Sequence, residues 1–331
     1  MNLPEVSVLS LGGTISSSTD AGGAFVVPTL AGETLVSDVP ELAEVADVSA
    51  FSFRQAASGE LTVDDLIELA GEVTRRIDGG ADGVVVTQGT DTIEETAFVL
   101  DLLVDREAPV VVTGAMRNPT LAGADGPANL LAAVRVAAGE TARGLGAVVV
   151  FNDEIHAARF VRKTHTQSLA TFRSDPVGPV GWVSEGKARV VLRPSERRRV
   201  VLPERTQNHR VALLTATLGD DGRLIPMVKR LGYAGLVVEA FGGGHVPSLL
   251  VEPLETLANT MPVVLASRAG KGEVLTSTYG FSGSETDLLG RGLIAAGPLD
   301  GLKSRLLLLL LLNSGATKEE IAERFDRWLG G

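Results

Sequence analysis

Cysteine is absent from this 331-residue sequence, and aromatic residues make up only 4% of it. The lack of cysteine excludes disulfide bonds, thiolate catalysis and cysteine-ligated metal sites. With so few aromatics, the interior must be packed mainly by Val, Leu, Ile and Ala, which is typical of a parallel sheet covered by helices. The histidines, too, are few and are not spaced as metal ligands: His156, His165, His209 and His245. We therefore expect no metal site.

Basic residues are outnumbered by acidic ones, and no block of lysine or arginine offsets the formal net charge of −11. Nucleic acids and anionic membranes are therefore not expected as partners. The seven consecutive leucines Leu306–Leu312 are too few to span a bilayer and predict a helix buried on all sides or at a subunit contact. Residues 1–5 lack a basic segment and a long apolar core, which predicts no signal peptide and a cytoplasmic location.

The chain exceeds the usual size of one hydrophobic core, and apolar strands alternate with helical segments along its first part. This pattern predicts an α/β fold, with a doubly wound, mostly parallel sheet in a large N-terminal domain and a smaller α/β C-terminal domain. We place the N-terminal domain at residues 1–192, a polar linker at 193–210 and the C-terminal domain at 211–331. Residues 152–192 are punctuated by glycine and proline and predict hairpins.

One stretch places polar groups where a parallel strand ends and a helix begins. Gly83–Thr87 predicts a buried strand, and Thr92 with Glu95 predicts a capping box at the next helix. Thr90 and Asp91 lie between them, at the strand end where open α/β sheets bind ligands. A hydroxyl and a carboxylate there can act on a substrate, but the same two residues also fit the simpler role of turn formers.

Hydroxyl groups follow two other predicted strands, with Thr14 after the first and Ser58 after the second. Because the carboxyl ends of parallel strands share one edge of a sheet, Thr14, Ser58 and Thr90 are expected to converge on one pocket. Residues 16–24 are small and polar, which is the composition of a mobile lid.

Two further capping boxes predict helix starts, one at Thr62 with Asp65 and one at Thr317 with Glu320. In the first of these helices the apolar residues recur at helical spacing: Leu66, Leu69, Ala70, Val73 and Ile77. This apolar face is expected to pack on the sheet.

A threonine hydroxyl is a poor nucleophile near neutral pH and needs a base. The sequence has no G-x-S-x-G, Walker A or dinucleotide-binding signature, and its histidines are poorly placed for this task. The remaining candidates are carboxylates and a buried lysine. Only six lysines occur in the chain, and Lys163 follows an apolar strand rather than lying on an evident helix surface. Lys163 is therefore a candidate base, although most lysines are simply solvated.

Several short motifs resemble those of the bacterial L-asparaginases. They are LGGTI at Leu11–Ile15, TQGTDT at Thr87–Thr92, GAMR at Gly114–Arg117, ADGP at Ala124–Pro127, and the later segments Lys163–Thr164 and Ala170–Phe172. The resemblance extends over nearly the whole chain. It implies hydrolysis of the side-chain amide of L-asparagine to L-aspartate and ammonia, without a cofactor, by a homotetramer built from intimate dimers.

The resemblance also assigns catalytic roles to four residues. Thr14 corresponds to the family's nucleophilic threonine, which forms an acyl-enzyme. Thr90, Asp91 and Lys163 correspond to its hydrogen-bonded group of a threonine, an aspartate and a lysine. Asp91 is also expected to bind the α-amino group of the substrate.

Substrate-binding positions follow from the same resemblance. Ser58 corresponds to a substrate-binding serine, and Glu285 lies where the family has a glutamate contributed by the neighbouring subunit. The complete predicted binding set is Ser58, Gly59, Gly89, Thr90, Asp91 and Glu285.

Some positions depart from the family's pattern. Phe25 stands where a lid tyrosine is usual, so activation of Thr14 must differ, or Tyr279 or another group must replace that hydroxyl. Gln88 replaces a frequent histidine, and Gly59 replaces a glutamine, which removes one substrate contact and can change the balance between asparagine and glutamine. A common asparagine is missing from the glycine loop 242–245.

Two alternatives remain open at this stage. One is a catalytically silent amino-acid-binding protein on the same scaffold, which the departures favour. The other is the ammonia-producing subunit of a tRNA-dependent amidotransferase, but that subunit has an additional amino-terminal domain, for which a first strand near residue 6 leaves no room.

Overall fold

The computed structural model describes residues 2–13, 17–19, 26–28, 32–194, 197–204 and 207–329. The chain forms two compact units, Met1–Arg199 and Val200–Gly331, and each unit has its own sheet. The limits that the sequence suggests for the two domains and the linker stay a prediction.

The first unit alternates strands with helices before ending in hairpins. Its elements are β1 (Glu5–Ser10), β2 (Ser17–Thr19), β3 (Val26–Pro28), α1 (Gly32–Ser37), β4 (Asp47–Ser52), α2 (Val63–Asp78), β5 (Gly83–Thr87), α3 (Ile93–Leu103), β6 (Val110–Thr113), α4 (Gly126–Ala137), β7 (Ala147–Phe151), β8 (Glu154–Ala157), β9 (Arg162–Lys163), β10 (Phe172–Arg173), β11 (Gly181–Ser184) and β12 (Lys187–Val190).

Among the described residues, eight of these strands form one sheet in the order β12-β11-β8-β7-β6-β5-β1-β4. The strands β4, β1, β5, β6 and β7 are parallel, and β8, β11 and β12 add antiparallel pairs at one end. Every residue of β5 and of β7 is buried, which is expected where a valine-rich parallel strand is covered on both faces. The hairpins predicted for residues 152–192 are present.

The strand order reverses beside β1, which pairs with β4 on one side and with β5 on the other. Open α/β sheets bind ligands in the crevice that such a reversal leaves at the carboxyl ends of the strands. Ser10 is in register with both Ser52 and Thr87, so the loops that follow these three strands start at the same level.

Helix α2 begins with the capping box that the sequence predicts. The Thr62 hydroxyl accepts a hydrogen bond from the Asp65 amide, and the Asp65 carboxylate accepts one from the Thr62 amide at 2.9 Å. The apolar face of this helix is confirmed by its buried residues, Leu66, Leu69, Ala70 and Val73, with Ile77 partly buried.

The capping box predicted at Thr92 is wrong. Thr92 is the N-cap residue of α3, but its side chain makes no capping hydrogen bond. The hydroxyl instead donates to the carbonyl oxygen of Ser58 at 3.1 Å and accepts from Gln88 Nε2 at 3.1 Å. Residues 90–92 form a 3-10 turn before the helix, which directs this hydroxyl toward the neighbouring loop.

The second unit is a smaller α/β structure. Its elements are β13 (Val211–Thr215), α5 (Ile225–Arg230), β14 (Gly235–Ala240), α6 (Val251–Ala258), β15 (Val263–Ser267), α7 (Glu285–Gly290), β16 (Ile294–Ala295), α8 (Gly301–Asn313) and α9 (Lys318–Leu329). The strands β13, β14, β15 and β16 form a parallel sheet in that order. Together with the sheet of the first unit, this confirms the predicted fold class.

The start of α9 and the leucine run also agree with the sequence. The amide of Glu320 donates to the Thr317 hydroxyl, and the Thr317 amide donates to the Glu320 carboxylate, which is the predicted capping box. The leucines of α8 are buried from Leu306 to Leu311. No helix in the described part of the chain is both long and apolar enough to cross a membrane.

Candidate active site

The loops that follow β1, β4 and β5 are packed backbone against backbone. The amide of Leu11 donates to the Thr87 carbonyl at 2.9 Å, and the Ala56 amide donates to the Leu11 carbonyl at 3.0 Å. A Cβ atom on Gly89 would lie 2.7 Å from Ser58 Oγ, closer than real contacts, so a side chain there would force Ser58 to move. Glycine at this loop junction therefore keeps Ser58 in its place.

Thr90 and Asp91 lie in the 3-10 turn after β5, as their position at the strand end predicts. Thr90 is buried, whereas the side chain of Asp91 is 75% exposed. The Thr90 side chain is therefore shielded from solvent, whereas Asp91 presents its carboxylate to solvent.

Lys163 lies close to both of these residues, although more than seventy positions separate them in sequence. Its Nζ donates to Thr90 Oγ1 at 2.9 Å and to Asp91 Oδ1 at 2.6 Å. The Lys163 side chain is 15% exposed, and it extends from β9, which pairs with β10. A hydroxyl, a carboxylate and an amine are thus connected by hydrogen bonds, which is an arrangement that can transfer protons.

Ser58 and Gly59 lie in a 3-10 turn after β4, beside this group. Ser58 is buried, and its carbonyl oxygen accepts the hydrogen bond from Thr92. A Cβ atom on Gly59 would meet no heavy atom within 4 Å. The structure therefore brings together Ser58, Gly59, Gly89, Thr90, Asp91 and Lys163.

Thr14 and Phe25 lie outside the described residues, and so does most of the predicted lid. Gly13 is the last described residue before Thr14. It has a φ of +89° and lies against Gly89.

Glu285 belongs to the second unit, where it begins α7 and is fully buried. Its Oε1 accepts hydrogen bonds from the amides of Thr278 at 2.9 Å and Tyr279 at 2.7 Å, and its Oε2 lies 3.2 Å from His245 Nε2. Burial acts to raise the pKa of Glu285, but the backbone donors and His245 outweigh it and lower the pKa below its usual value. The carboxylate is therefore ionised at neutral pH.

Asp125 organises the neighbouring loop, and sequence reasoning assigned it no role. Its carboxylate accepts from the amides of Met116 at 3.0 Å and Arg117 at 2.8 Å, and from Asn129 Nδ2 at 3.0 Å. Asn129 Nδ2 also donates to the Gly114 carbonyl. The signal for this contact was the joint occurrence of the GAMR and ADGP motifs, which the structure explains as two halves of one hydrogen-bonded loop.

Across the described residues, no group of three or more His, Asp or Glu side chains is arranged to hold a metal ion.

Two family models match this sequence. "Asparaginase, N-terminal" matches residues 5–196, and "Glutaminase/Asparaginase C-terminal domain" matches residues 210–325.

Individual relatives match it over almost their whole length. L-asparaginase of Bacillus licheniformis is 35% identical over 97% of this chain and 98% of its own. The probable periplasmic L-asparaginase of Haemophilus influenzae is 32% identical over 98% of this chain and 93% of its own. The crystal structure of a probable cytoplasmic L-asparaginase from Campylobacter jejuni is similar with a TM-score of 0.86 and 29% identity, over 97% of this chain and 99% of that one. The chain belongs to the asparaginase family.

Proposed function

We propose that this protein hydrolyses the side-chain amide of L-asparagine to L-aspartate and ammonia, without a metal or an organic cofactor. The observation that carries the proposal is the contact of Lys163 Nζ with both Thr90 Oγ1 and Asp91 Oδ1. Membership of the asparaginase family and the names of the relatives support the same activity.

The reaction proceeds in two steps. Thr14 Oγ attacks the amide carbon, the carbon–nitrogen bond breaks, and the proton of the Thr14 hydroxyl ends on the departing ammonia. Water then attacks the acyl-enzyme, releases aspartate and returns a proton to Thr14. Thr90 and Lys163 are the groups that move these protons. Backbone N–H donors at the loop junction stabilise the oxyanion, and each such donor commonly lowers the barrier by roughly 3 to 4 kcal/mol.

Substrate binding relies on charge and on backbone donors. The exposed carboxylate of Asp91 binds the α-ammonium group of L-asparagine. Backbone amides at helix starts, together with Ser58, bind its α-carboxylate. This arrangement lets an acidic protein bind an anionic group. Glu285 of a neighbouring subunit completes the site in a homotetramer built from intimate dimers. A molecular mass in solution that differs from that of four chains would contradict the proposed tetramer.

The decisive experiment measures ammonia release from L-asparagine, with D-asparagine and L-glutamine in parallel. Thr14→Ala and Lys163→Met should each lower kcat by roughly a thousandfold or more, because each removes a group that exchanges protons in the reaction. Lys187→Met is the matched control, since Lys187 is exposed on β12. An unchanged rate in the Thr14→Ala protein would remove the nucleophile assignment.

The same assay tests the alternative that the chain is a catalytically silent amino-acid-binding protein. If calorimetry detects binding of L-aspartate or L-asparagine while millimolar asparagine releases no ammonia, the enzymatic proposal is wrong.

We also propose a cytoplasmic location. The Campylobacter jejuni protein is named as cytoplasmic, whereas the Haemophilus influenzae protein is named as periplasmic. Members of the family are thus named for either compartment. Fractionation of the producing cells, with marker proteins for each compartment, decides between a cytoplasmic and a periplasmic location.

A further inference from the structure

His156 lies on β8 with only 1% of its surface exposed, yet it is not part of the site described above. Its Nδ1 lies 2.9 Å from Ser174 Oγ. Ser174 is also buried and follows β10 directly. A side-chain hydrogen bond thus connects the main sheet to the two-stranded pair formed by β9 and β10.

The protonation state and the tautomer of the His156 ring together determine the direction of this hydrogen bond. Burial, and to a smaller extent the positive charge of Arg173, lower the pKa of His156 from 6.5 to about 4. The ring is therefore neutral near pH 7. Nε2 lies 3.3 Å from the Glu154 carboxylate, without a hydrogen bond to any described residue. In the tautomer with the proton on Nε2, on the side of that carboxylate, Nδ1 accepts the hydrogen bond of the Ser174 hydroxyl.

A second contact connects β10 to the main sheet. The ring centroids of Phe151 and Phe172 are 4.9 Å apart, and both side chains are buried. Phe151 ends β7, and Phe172 pairs directly with Lys163 across β9 and β10. The strand that carries Lys163 is therefore connected to the main sheet through β10.

These connections matter because β9 and β10 have only two residues each. A ladder this short supplies few backbone hydrogen bonds and is not stable by itself. The Lys163 side chain is long and flexible, so the position of its ammonium depends on where its backbone is held. A displacement of about 1 Å is enough to weaken catalysis greatly.

We propose that His156, acting through Ser174, is a positioning residue that holds the β9–β10 pair so that Lys163 Nζ stays within hydrogen-bond distance of Thr90 and Asp91. The inference rests on the proposed function of that site. It adds a residue that touches neither substrate nor reacting atoms.

The test compares variants at the two ends of this hydrogen bond. His156→Phe keeps a ring but has no acceptor, and Ser174→Ala removes the donor. Each should lower kcat about tenfold with KM for asparagine within about twofold, because Lys163 would be displaced from the reacting hydroxyl. His156→Asn places an amide oxygen near the position of Nδ1, and it should recover at least half of the wild-type kcat.

Ser7→Ala is the control for a merely structural loss. It removes a hydroxyl hydrogen bond of 3.1 Å to Ser49, between β1 and β4. This variant should lose thermal stability while keeping its kcat. If His156→Phe and Ser174→Ala keep the wild-type kcat, or if His156→Asn recovers nothing, the positioning role is overturned.

A crystallographic measurement separates this inference from the proposed function. In structures of His156→Phe and Ser174→Ala, the distance from Lys163 Nζ to Thr90 Oγ1 should exceed 3.5 Å. If the wild-type protein releases no ammonia, the proposed function fails, and the distance alone decides the positioning role. An unchanged distance of about 2.9 Å in both variants would overturn it. Ser174→Ala, the smaller change, keeps the test available if His156→Phe does not fold.

Discussion

Gly13 and Gly89 are in backbone contact across the loops that follow β1 and β5, and a Cβ atom on Gly13 would overlap the Gly89 amide. Gly13 also has a φ of +89°, a conformation that residues with a side chain rarely adopt. The residue before the proposed nucleophile is therefore fixed by two independent requirements for glycine.

Gly13→Ala should lower the free energy of unfolding by about 3 kcal/mol and abolish ammonia release, because the added methyl group separates the two loops. Gly71→Ala is the matched control. Gly71 is exposed in α2 with open space around it, so alanine there should raise the free energy of unfolding by about 0.5 to 1 kcal/mol. Urea unfolding of both variants checks this. A Gly13→Ala protein as stable as the wild type would show that the loops can separate without cost.

Thr92→Val should raise KM for asparagine about fivefold. The change removes the hydrogen bond from Thr92 to the Ser58 carbonyl and the one from Gln88, and ordering the Ser58 loop on binding would then cost about 1 kcal/mol. Thr62→Ala removes a helix cap instead and should lower stability by about 1 kcal/mol without changing KM. The prediction fails if the two variants have the same KM.

Gly59→Gln should change the preference between asparagine and glutamine. A Cβ atom on Gly59 would meet no heavy atom within 4 Å, so a side chain can begin there without displacing a neighbour. One new hydrogen bond to the substrate is worth about 1 kcal/mol, or about a fivefold change in the ratio of kcat/KM for the two amides. Gly290→Gln, at another open glycine, should leave the ratio unchanged. Equal ratios in wild type and Gly59→Gln would exclude position 59 from substrate selection.

His156 should make stability depend on pH. Its pKa is about 4 in the folded protein, below the ordinary value of 6.5 that holds in the unfolded chain, so between pH 4 and pH 6.5 the unfolded chain binds more protons. Stability is therefore lost as pH falls from 6.5 to 4, by up to about 3 kcal/mol. His156→Asn lacks this titration. The free energy of unfolding of the wild type, relative to that of His156→Asn, should fall by that amount from pH 7 to pH 4. A difference that does not change with pH would contradict the lowered pKa of His156.

Much of the fold could be predicted because its causes are local. The valine-rich strand β5 occurs at the predicted place, and the caps at Thr62 and Thr317 form with residues three positions away. Such features depend on spacing along the chain, which a sequence displays directly. The cap at Thr92 was predicted by the same rule and is wrong, because a distant carbonyl, that of Ser58, competes for the hydroxyl.

The sequence by itself determined the fold class, the strand ends that carry Thr90 and Ser58, and the motifs that mark the family. Tertiary structure decided which groups meet. The contact of Lys163 with Thr90 and Asp91 was expected only through the family resemblance, and nothing in the sequence indicated that His156 is hydrogen-bonded to Ser174. The physical reason is that propensity and periodicity act over a few residues. Contacts between residues far apart in sequence depend on strand order and register, which are set by the packing of the whole sheet.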